Sequence, residues 1–485
     1  MKAKRMLEKY NVTSNGIEVE IEIYEVEDKY VPIYSVSILN VSPTTKLILD
    51  KIRGEFVSSL DYQEIEKEKE ENNDDIRKRF TITIAKLVKK YFPKADEKTK
   101  NTLINYLLEE NLGFGKLDIL LKDKYLEEIV INNHKEPVWV YHKKYGWLET
   151  NITIFTESRI RHYSTMIGRD VNKEITILNP LMDAHLKTGD RVNATLMPIS
   201  TKGNTITIRK FAEDPWTIIK FIEVGTISAR GAALVWLAIQ NELSILIAGG
   251  TGSGKTSMLN GLSNFLAPNQ RIISIEDTRE LKLSDYLHWV PLETRLPNPE
   301  GKGGIAMLDL LVNSLRMRPD RIFVGEIRRK EEAQVLLEAM HTGHSVYGTI
   351  HANNADETVT RLTNPPIDIP KKMLSSLSMI LVQNRNRRTG KRRTIQIAEV
   401  TKDGDARVLM QYSAAKDELI KVNESQEIFS TIELYTGMTQ EQIQQELNTK
   451  SQILTWLLNK KMTSINDLGR FMADYYTGRL KIKDT

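Results

Sequence analysis

The residue types best suited to chemistry lie in one glycine-rich segment, Gly249–Thr256, which reads GGTGSGKT. The apolar run Leu243–Ala248 before it predicts a buried strand, and a helical pattern follows from Ser257. Glycines let the backbone curl so that successive N–H groups point at one anion, and the helix adds the positive end of its dipole. Lys255 would neutralise the β- and γ-phosphates of a nucleotide, and the Thr256 hydroxyl would bind Mg²⁺. The segment therefore predicts binding of a nucleoside triphosphate with Mg²⁺.

An accidental match in a glycine-rich turn is the alternative interpretation of this segment. The predicted strand before it and the predicted helix after it disfavour that alternative. Phosphate binding alone breaks no bond, so hydrolysis also needs carboxylates at neighbouring strand ends. The residues predicted to surround the phosphates are Gly249, Gly250, Thr251, Gly252, Ser253, Gly254, Lys255, Thr256 and Ser257.

Two later apolar runs end in acidic residues. The run Ile272–Ile275 ends in Glu276 and Asp277, and a second predicted strand near 321–325 ends in Glu326. We expect Glu326 to orient or deprotonate water near the γ-phosphate, and Glu276 to help place the metal ion or the water. Either carboxylate by itself would be interpreted as a solvated charge at the end of a strand. Their position after the glycine-rich segment, in the same predicted sheet, favours catalysis.

Three of the eight histidines, His341, His344 and His351, lie around one predicted strand near 345–350. A zinc site is possible on composition, but no nearby thiolate or carboxylate completes a ligand set. A phosphate-sensing or subunit-contact role fits this position better. Histidines that are hydrogen-bonded within the core remain the alternative.

Composition limits the class of protein. The 485 residues suggest two to four domains, and 40% apolar with 27% charged residues is typical of a globular protein. The net charge of +4 is too small to indicate nucleic-acid binding by itself, and with no cysteine the chain has neither disulfides nor a thiolate zinc site. No apolar run approaches the roughly 20 residues of a membrane span, and Met1–Arg5 lacks the apolar region of a signal peptide. We therefore expect a cytoplasmic protein that reaches membranes only through partners.

Periodicity predicts the order of elements along the chain. Alternation over 17–40 predicts strands, a helix is expected from Pro43, and the charge-dense run 61–75 suits a solvated helix or a linker. Further helices are predicted at 76–92 and 97–112, and strands at 191–196 and 205–209; residues 210–220 are predicted to be a hinge. Strands near 244–248, 271–276, 321–325 and 345–350 alternate with helices, which implies a mostly parallel sheet with phosphate chemistry at the carboxyl ends of its strands.

Four ordered segments together resemble the hexameric ATPases of type II and type IV secretion and of type IV pilus assembly, most of all the archaeal branch that includes the archaellum motor. Gly249–Thr256 matches the Walker A motif of that family, and Ile275–Leu281 resembles its Asp box. Leu315–Glu326 resembles its atypical Walker B motif, and Gly343–Ala352 its His box. The lack of cysteine departs from the tetracysteine zinc element of bacterial assembly motors, which favours the archaeal branch.

The resemblance continues more weakly before the Walker A motif, at 179–186, 190–195 and 207–211. It implies that Arg191 and Arg209 reach the nucleotide as arginine fingers, one or both across a subunit boundary. It also implies three regions: an adaptor over 1–95, a mixed α/β, PAS-like domain over 96–212 that carries the arginines, and a RecA-like ATPase domain over 213–485 with a helical C-terminal part.

The resemblance implies a function as well. A homo-hexamer would hydrolyse ATP with Mg²⁺, with Glu326, Glu276, Arg191, Arg209 and His351 as the catalytic set and Thr256 and Glu276 at the metal. Domain closure against an integral membrane platform protein would power an archaeal type IV pilus-like filament or a related secretion machine. The location implied is cytoplasmic and peripheral to the membrane.

Two other functions remain open on the sequence. A nucleic-acid translocase could use the same motor, and the basic segment 385–393, between predicted strands 379–383 and 394–400, is its support. No aromatic residue is interleaved there to stack on bases, so a solvated turn or a contact with an acidic partner is favoured, and no nucleic acid is expected. The other alternative is a scaffold that binds ATP without turnover, which the acids at the strand ends disfavour.

Overall fold

The computed structural model describes residues 4–14, 16–38, 43–58, 73–171, 173–186, 188–211, 215–295, 297 and 301–480. They form two compact units, Met1–Glu213 and Asp214–Thr485. Each unit contains one nine-stranded sheet with helices, so the predicted mixed α/β class is confirmed. Residues 61–72 of the predicted solvated run, and 212–214 of the predicted hinge, lie outside the described residues.

The first unit is built on a mainly antiparallel sheet. Its strand order is β1-β2-β3-β6-β5-β4-β9-β8-β7, and only β3 and β6 run parallel to each other. The strands are β1 (Lys4–Ser14), β2 (Ile17–Val26), β3 (Ile33–Ile38), β4 (Leu126–Ile131), β5 (Pro137–His142), β6 (Gly146–Thr153), β7 (Leu181–His185), β8 (Arg191–Thr195) and β9 (Thr205–Arg209). The helices are α1 (Pro43–Ser58), α2 (Asn73–Tyr91), α3 (Glu97–Leu112), α4 (Lys116–Lys122) and α5 (Glu157–Asp170).

Alternation explains why these segments form a sheet with one buried face. In β2 the side chains of Val19, Ile21 and Ile23 are fully buried, while the glutamates between them stay accessible. Helices α1 to α3 have a separate small core around Ile52 and Ile84. Because β3 pairs with β6, one sheet runs through residues on both sides of position 95. This arrangement differs from the predicted separation of an adaptor over 1–95 from a domain over 96–212.

The second unit has the order β12-β11-β13-β14-β10-β15-β16-β17-β18. In this order, each pair of neighbouring strands from β12 as far as β15 is parallel, and each pair from β15 as far as β18 is antiparallel. The strands are β10 (Ile245–Gly249), β11 (Arg271–Glu276), β12 (His288–Glu293), β13 (Arg321–Val324), β14 (Ser345–Ile350), β15 (Met379–Arg385), β16 (Arg392–Val400), β17 (Ala406–Ser413) and β18 (Glu418–Lys421). The helices are α6 (Ile218–Glu223), α7 (Ala229–Gln240), α8 (Lys255–Leu262), α9 (Met307–Leu315), α10 (Lys330–His341), α11 (Ala355–Thr363), α12 (Glu427–Thr436), α13 (Gln440–Asn459) and α14 (Ile465–Tyr476), with 3₁₀ turns at Ser263–Phe265 and Lys371–Ser376.

The parallel part of this sheet is covered on both faces. Ile245 and Ile247 of β10 belong to a core that includes Trp236 of α7, whereas Leu246 and Ala248 belong to a second core on the other face. A strand buried on both faces reads as a continuous apolar run, which is why β10 was predictable. The expected P-loop sheet of a RecA-like domain is confirmed.

The C-terminal helices pack against the first core of this unit. Lys450 of α13 is fully buried, and its Nζ donates to the Tyr475 hydroxyl at 3.1 Å and lies 4.6 Å from the Trp236 ring centroid. The predicted helical C-terminal part is confirmed, although three antiparallel strands, β16 to β18, come before it. Among the residues described, no helix is both long and apolar enough to span a bilayer.

Candidate nucleotide-binding site

The predicted strand, glycine loop and helix are present in the second unit. β10 lies between β14 and β15, ends at Gly249, and is followed by α8 from Lys255. Gly252 and Gly254 have φ values of 71° and 92°, in the left-handed region that favours glycine. A side chain at Gly249 would meet the Gln383 carbonyl oxygen at 2.5 Å. The loop therefore has a backbone conformation that requires glycine at these positions, and its binding of phosphate stays a prediction.

Lys255 lies inside this loop. Its side chain is buried, and Nζ donates to the carbonyl oxygens of Gly249 at 2.9 Å and Gly250 at 3.2 Å. Burial lowers the pKa of Lys255. Thr256 and Ser257 follow in the first turn of α8, as the P-loop pattern requires. The lysine is held by the backbone that would surround a phosphate.

The structure brings Lys255, Glu326 and His351 together. β13 is adjacent to β14, and β14 to β10, so the carboxyl ends of the three strands meet at one edge of the sheet. His351 directly follows β14, and its Nε2 lies 3.0 Å from Oε1 of Glu326. Its Nδ1 lies 3.3 Å from Nζ of Lys255. Three residues predicted from separate motifs thus form one contiguous cluster.

The hydrogen-bonding partners of His351 determine its tautomer. A lysine ammonium has only donors, so Nδ1 accepts from Lys255 and the ring proton lies on Nε2, which donates to Glu326. Partial burial lowers the pKa of His351, and the neighbouring positive charge of Lys255 lowers it further. A neutral imidazole therefore connects the lysine with the carboxylate.

Arg328 joins this cluster, although the sequence did not single it out. Its Nη2 donates to Oε2 of Glu326 at 2.8 Å, and its Nη1 donates to Oδ2 of Asp277 at 2.7 Å. The bond with Glu326 raises the pKa of Arg328. Its only signal in the sequence is its place two residues after Glu326. Both carboxylate oxygens of the predicted catalytic acid are thus engaged, one by His351 and one by Arg328.

Glu276 is hydrogen-bonded by backbone N–H groups, unlike Glu326, whose partners are side chains. Its side chain is 2% exposed, and Oε1 accepts from the backbone N–H groups of Glu280 at 2.9 Å and Leu281 at 3.1 Å. Burial raises the pKa of Glu276 to about 7, against an ordinary value of 4.5. One oxygen therefore holds the loop after β11, and a role at the metal stays a prediction for this residue.

Residues beside the loop offer oxygens to an Mg²⁺ ion that a nucleotide would carry. No group of three or more histidine, aspartate or glutamate side chains among the described residues is arranged to hold a metal ion. Mg²⁺ commonly keeps several waters and binds through phosphates with one or two protein oxygens. The Thr256 hydroxyl and the nearby carboxylates supply oxygens of that kind.

The other two histidines of the predicted cluster are not part of it. His344 precedes β14, at the end of the strand opposite to His351, and its Nδ1 is 3.2 Å from Oγ1 of Thr342. His341 is exposed at the end of α10. Only His351 of the three lies at the candidate site.

Comparison with known proteins identifies the family. Residues 182–465, more than half of the chain, match the family described as type II/IV secretion system protein. The chain belongs to this family. An uncharacterised protein of Methanocaldococcus jannaschii is 36% identical over 372 residues, which cover 73% of this chain and 66% of that relative; about a third of the relative is therefore unmatched.

Two further similarities were found. The type IV secretion system protein PtlH of Bordetella pertussis is 33% identical over 260 residues, covering 49% of this chain and 76% of PtlH. The Legionella pneumophila ATPase DotB is a similar solved structure, with 19% identity, a TM-score of 0.45, and coverage of 74% of this chain and 93% of DotB.

The secretion-family match includes the two predicted arginine fingers. Arg191 of β8 and Arg209 of β9 are direct cross-strand partners in the sheet of the first unit. Their predicted action on a nucleotide stays a prediction.

Proposed function

We propose that this secretion-family protein is an ATP hydrolase and that the cluster of Lys255, His351 and Glu326 is its catalytic centre. The observation that supports it best is the connection of a P-loop lysine to a strand-end carboxylate through one neutral imidazole. A basic residue for the phosphates and an acid for the water lie at the same edge of one parallel sheet, where such ligands bind.

The contacts of each side chain suggest its role. A γ-phosphate offers Lys255 a stronger partner than an imidazole nitrogen, so binding of ATP would draw Nζ away from His351. His351 and Arg328 hold Glu326 in place until water arrives, and Glu326 then orients or deprotonates that water. When bound, Mg²⁺ neutralises charge that develops on the phosphates. His351 would thus report the presence of the γ-phosphate to the catalytic acid.

We further propose that the protein works as a homo-hexamer. Arg191 and Arg209 would be supplied in part by neighbouring subunits, since a planar guanidinium grips two phosphate oxygens at once. Domain closure driven by ATP would act on an integral membrane platform protein at the cytoplasmic face. The family of secretion proteins supports this assignment, and the chain would power an archaeal type IV pilus-like filament or a related secretion machine.

Phosphate release with Mg²⁺ and ATP tests the enzymatic part of the proposal. We expect turnover in the wild type, loss of nucleotide binding in Lys255→Ala, and no change in Lys416→Ala, an exposed lysine between β17 and β18. Binding of ATP without phosphate release would instead indicate a scaffold. Stimulation by DNA of any sequence would favour a translocase, but Lys391 and Arg393 of the basic segment are both paired with Asp417.

A further inference from the structure

The basic segment predicted from the sequence forms a hairpin beside the P-loop. Strands β15 and β16 are its two arms, and Arg385 lies directly opposite Arg392 where the arms end. Because β15 also pairs with β10, with Gln383 opposite Gly249, the turn end of this hairpin is adjacent to the end of the strand that leads into the glycine loop. The hairpin cations therefore fall into groups according to the face on which they lie.

Two of the cations on this hairpin are neutralised. Nζ of Lys391 lies 3.1 Å from Oδ2 of Asp417, and the Arg393 guanidinium donates to both oxygens of Asp417 at 2.7 and 3.0 Å. These bonds hold the pKa of Asp417 well below its usual range. Side chains alternate along a strand, so Arg392, between Lys391 and Arg393, leaves on the opposite side.

Arg392 lies against the P-loop itself. Its Nε donates to the Gly252 carbonyl oxygen at 3.1 Å, and its Cδ is 3.4 Å from where a β-carbon on Gly254 would lie. Nη1 of Arg385 is 3.3 Å from the corresponding position on Gly252, so two guanidinium groups border the loop. Within the part of the chain that the structure describes, no carboxylate pairs with Arg392, and its Nη1 and Nη2 make no hydrogen bond.

Arg392 and Lys255 concentrate positive charge at this loop. The half-buried guanidinium of Arg392 stands against the loop that contains Lys255, and none of the carboxylates that the structure describes pairs with Arg392. Its two terminal nitrogens form a fork that matches phosphate oxygens. From this geometry we infer that Arg392 binds the phosphates of a nucleotide held by the P-loop of its own subunit.

The inference rests on the proposed nucleotide binding and extends it. The structure assigns Arg392 to the phosphate site within one chain, whereas Arg191 and Arg209 are proposed to act in part between chains. A fluorescent ADP analogue is the probe, because binding of a diphosphate needs no turnover. The test compares the full-length wild type with Arg392→Gln and Arg392→Lys, and Arg388→Gln is the matched control, since Arg388 is exposed in the turn of the same hairpin.

We expect Arg392→Gln to bind the ADP analogue about tenfold more weakly or worse, Arg392→Lys to recover part of the affinity, and Arg388→Gln to match the wild type. The salt dependence of binding should also become shallower in Arg392→Gln, because one cation fewer contacts the ligand. A purely structural role through the Gly252 carbonyl would leave that salt dependence unchanged, and so would overturn the inference.

The outcomes also separate this inference from the proposed function. If the wild type binds the analogue and Arg392→Gln binds it as tightly as Arg388→Gln, the role of Arg392 is wrong and the proposed function stands. If the wild type binds no nucleotide, both are wrong. Should Arg392→Gln fail to fold, which its thermal melting would reveal, the uncharged variant Arg392→Met takes its place: an affinity and a salt dependence equal to those of Arg388→Gln would overturn the inference.

Discussion

Lys255 and Glu326 are joined through a single imidazole, with His351 3.3 Å from the lysine nitrogen and 3.0 Å from the carboxylate oxygen. The residue expected to bind phosphate and the residue expected to act on water are therefore coupled through one side chain. The imidazole of His351 uses one nitrogen for each neighbour. If Lys255 turns to a phosphate, His351 loses its bond with Lys255, and a change in the orientation of the imidazole ring would also break its bond with Glu326. We propose that this cluster senses the γ-phosphate.

The first prediction concerns the catalytic acid. Glu326→Gln keeps the size of the side chain but removes its negative charge, so ATP binding should survive while turnover falls by about 10²-fold or more. Phosphate release and binding of a fluorescent nucleotide measure the two quantities separately. Glu331→Gln is the matched control, since Glu331 is exposed in the first turn of α10. Wild-type turnover in Glu326→Gln would show that another group acts on the water.

The second prediction concerns pH and His351. Its pKa is lowered from the ordinary 6.5, so the native state disfavours its protonation. The contribution of His351 to stability is therefore fully present above pH 6.5. It is lost as the pH drops from 6.5 through the lowered pKa, because the unfolded chain takes up the proton more readily. Thermal melting of nucleotide-free protein should fall less steeply with acid in His351→Gln than in the wild type. Equal slopes would contradict the placement of His351 between Lys255 and Glu326.

Local patterns in the sequence predicted the strands that position the site. The apolar run before Gly249, the glycine spacing and the acids after two later runs each depend on neighbouring residues, and the structure places β10, β11 and β13 accordingly. The hairpin of β15 and β16 also follows its prediction, with strands a few residues longer. Segments buried on both faces are the easiest to recognise, because they contain almost no polar residues.

Other features depend on contacts between distant segments and left little signal in the sequence. β1 was not predicted, because most of its residues are polar or partly exposed. Arg328 and Arg392 each resemble a surface cation until the fold brings Glu326 or Gly252 next to them. The burial of Glu276 likewise results from the way the chain turns back after β11, so no local pattern in the sequence indicates that this carboxylate is buried.

The third prediction follows from that burial. The pKa of Glu276 is raised from 4.5 to about 7, so its contribution to stability is present below 4.5 and is lost as the pH rises through about 7. For a side chain this buried the loss is on the order of 3 kcal/mol. Glu276→Gln keeps an oxygen for the two backbone N–H groups and carries no charge, so its melting temperature should vary less between pH 5 and 8.

Measurements on Glu276→Gln address two separate roles of this residue. Glu331→Gln is again the control. If the melting temperature of Glu276→Gln depended on pH as strongly as that of the wild type and of Glu331→Gln, Glu276 would be charged and compensated in the native state. Turnover at saturating Mg²⁺ tests the predicted role at the metal. If Glu276 helps place Mg²⁺, turnover in Glu276→Gln should fall and recover in part as the Mg²⁺ concentration is raised.

The last prediction concerns the cross-strand pair Arg191 and Arg209. If these arginines act on the nucleotide of a neighbouring subunit, Lys255→Ala and Arg209→Ala should each lose ATPase activity, and a mixture of the two should regain part of it. In mixed rings some interfaces combine an intact Lys255 from one variant with an intact Arg209 from the other. Specific activity should also rise with protein concentration as rings assemble, which light scattering measures in parallel.

Lys202→Ala, a change at an exposed residue in the loop before β9, is the matched control and should behave as the wild type in both experiments. No recovery in mixed rings that are shown to form would place the action of Arg209 within its own subunit, and an active monomer would exclude the ring.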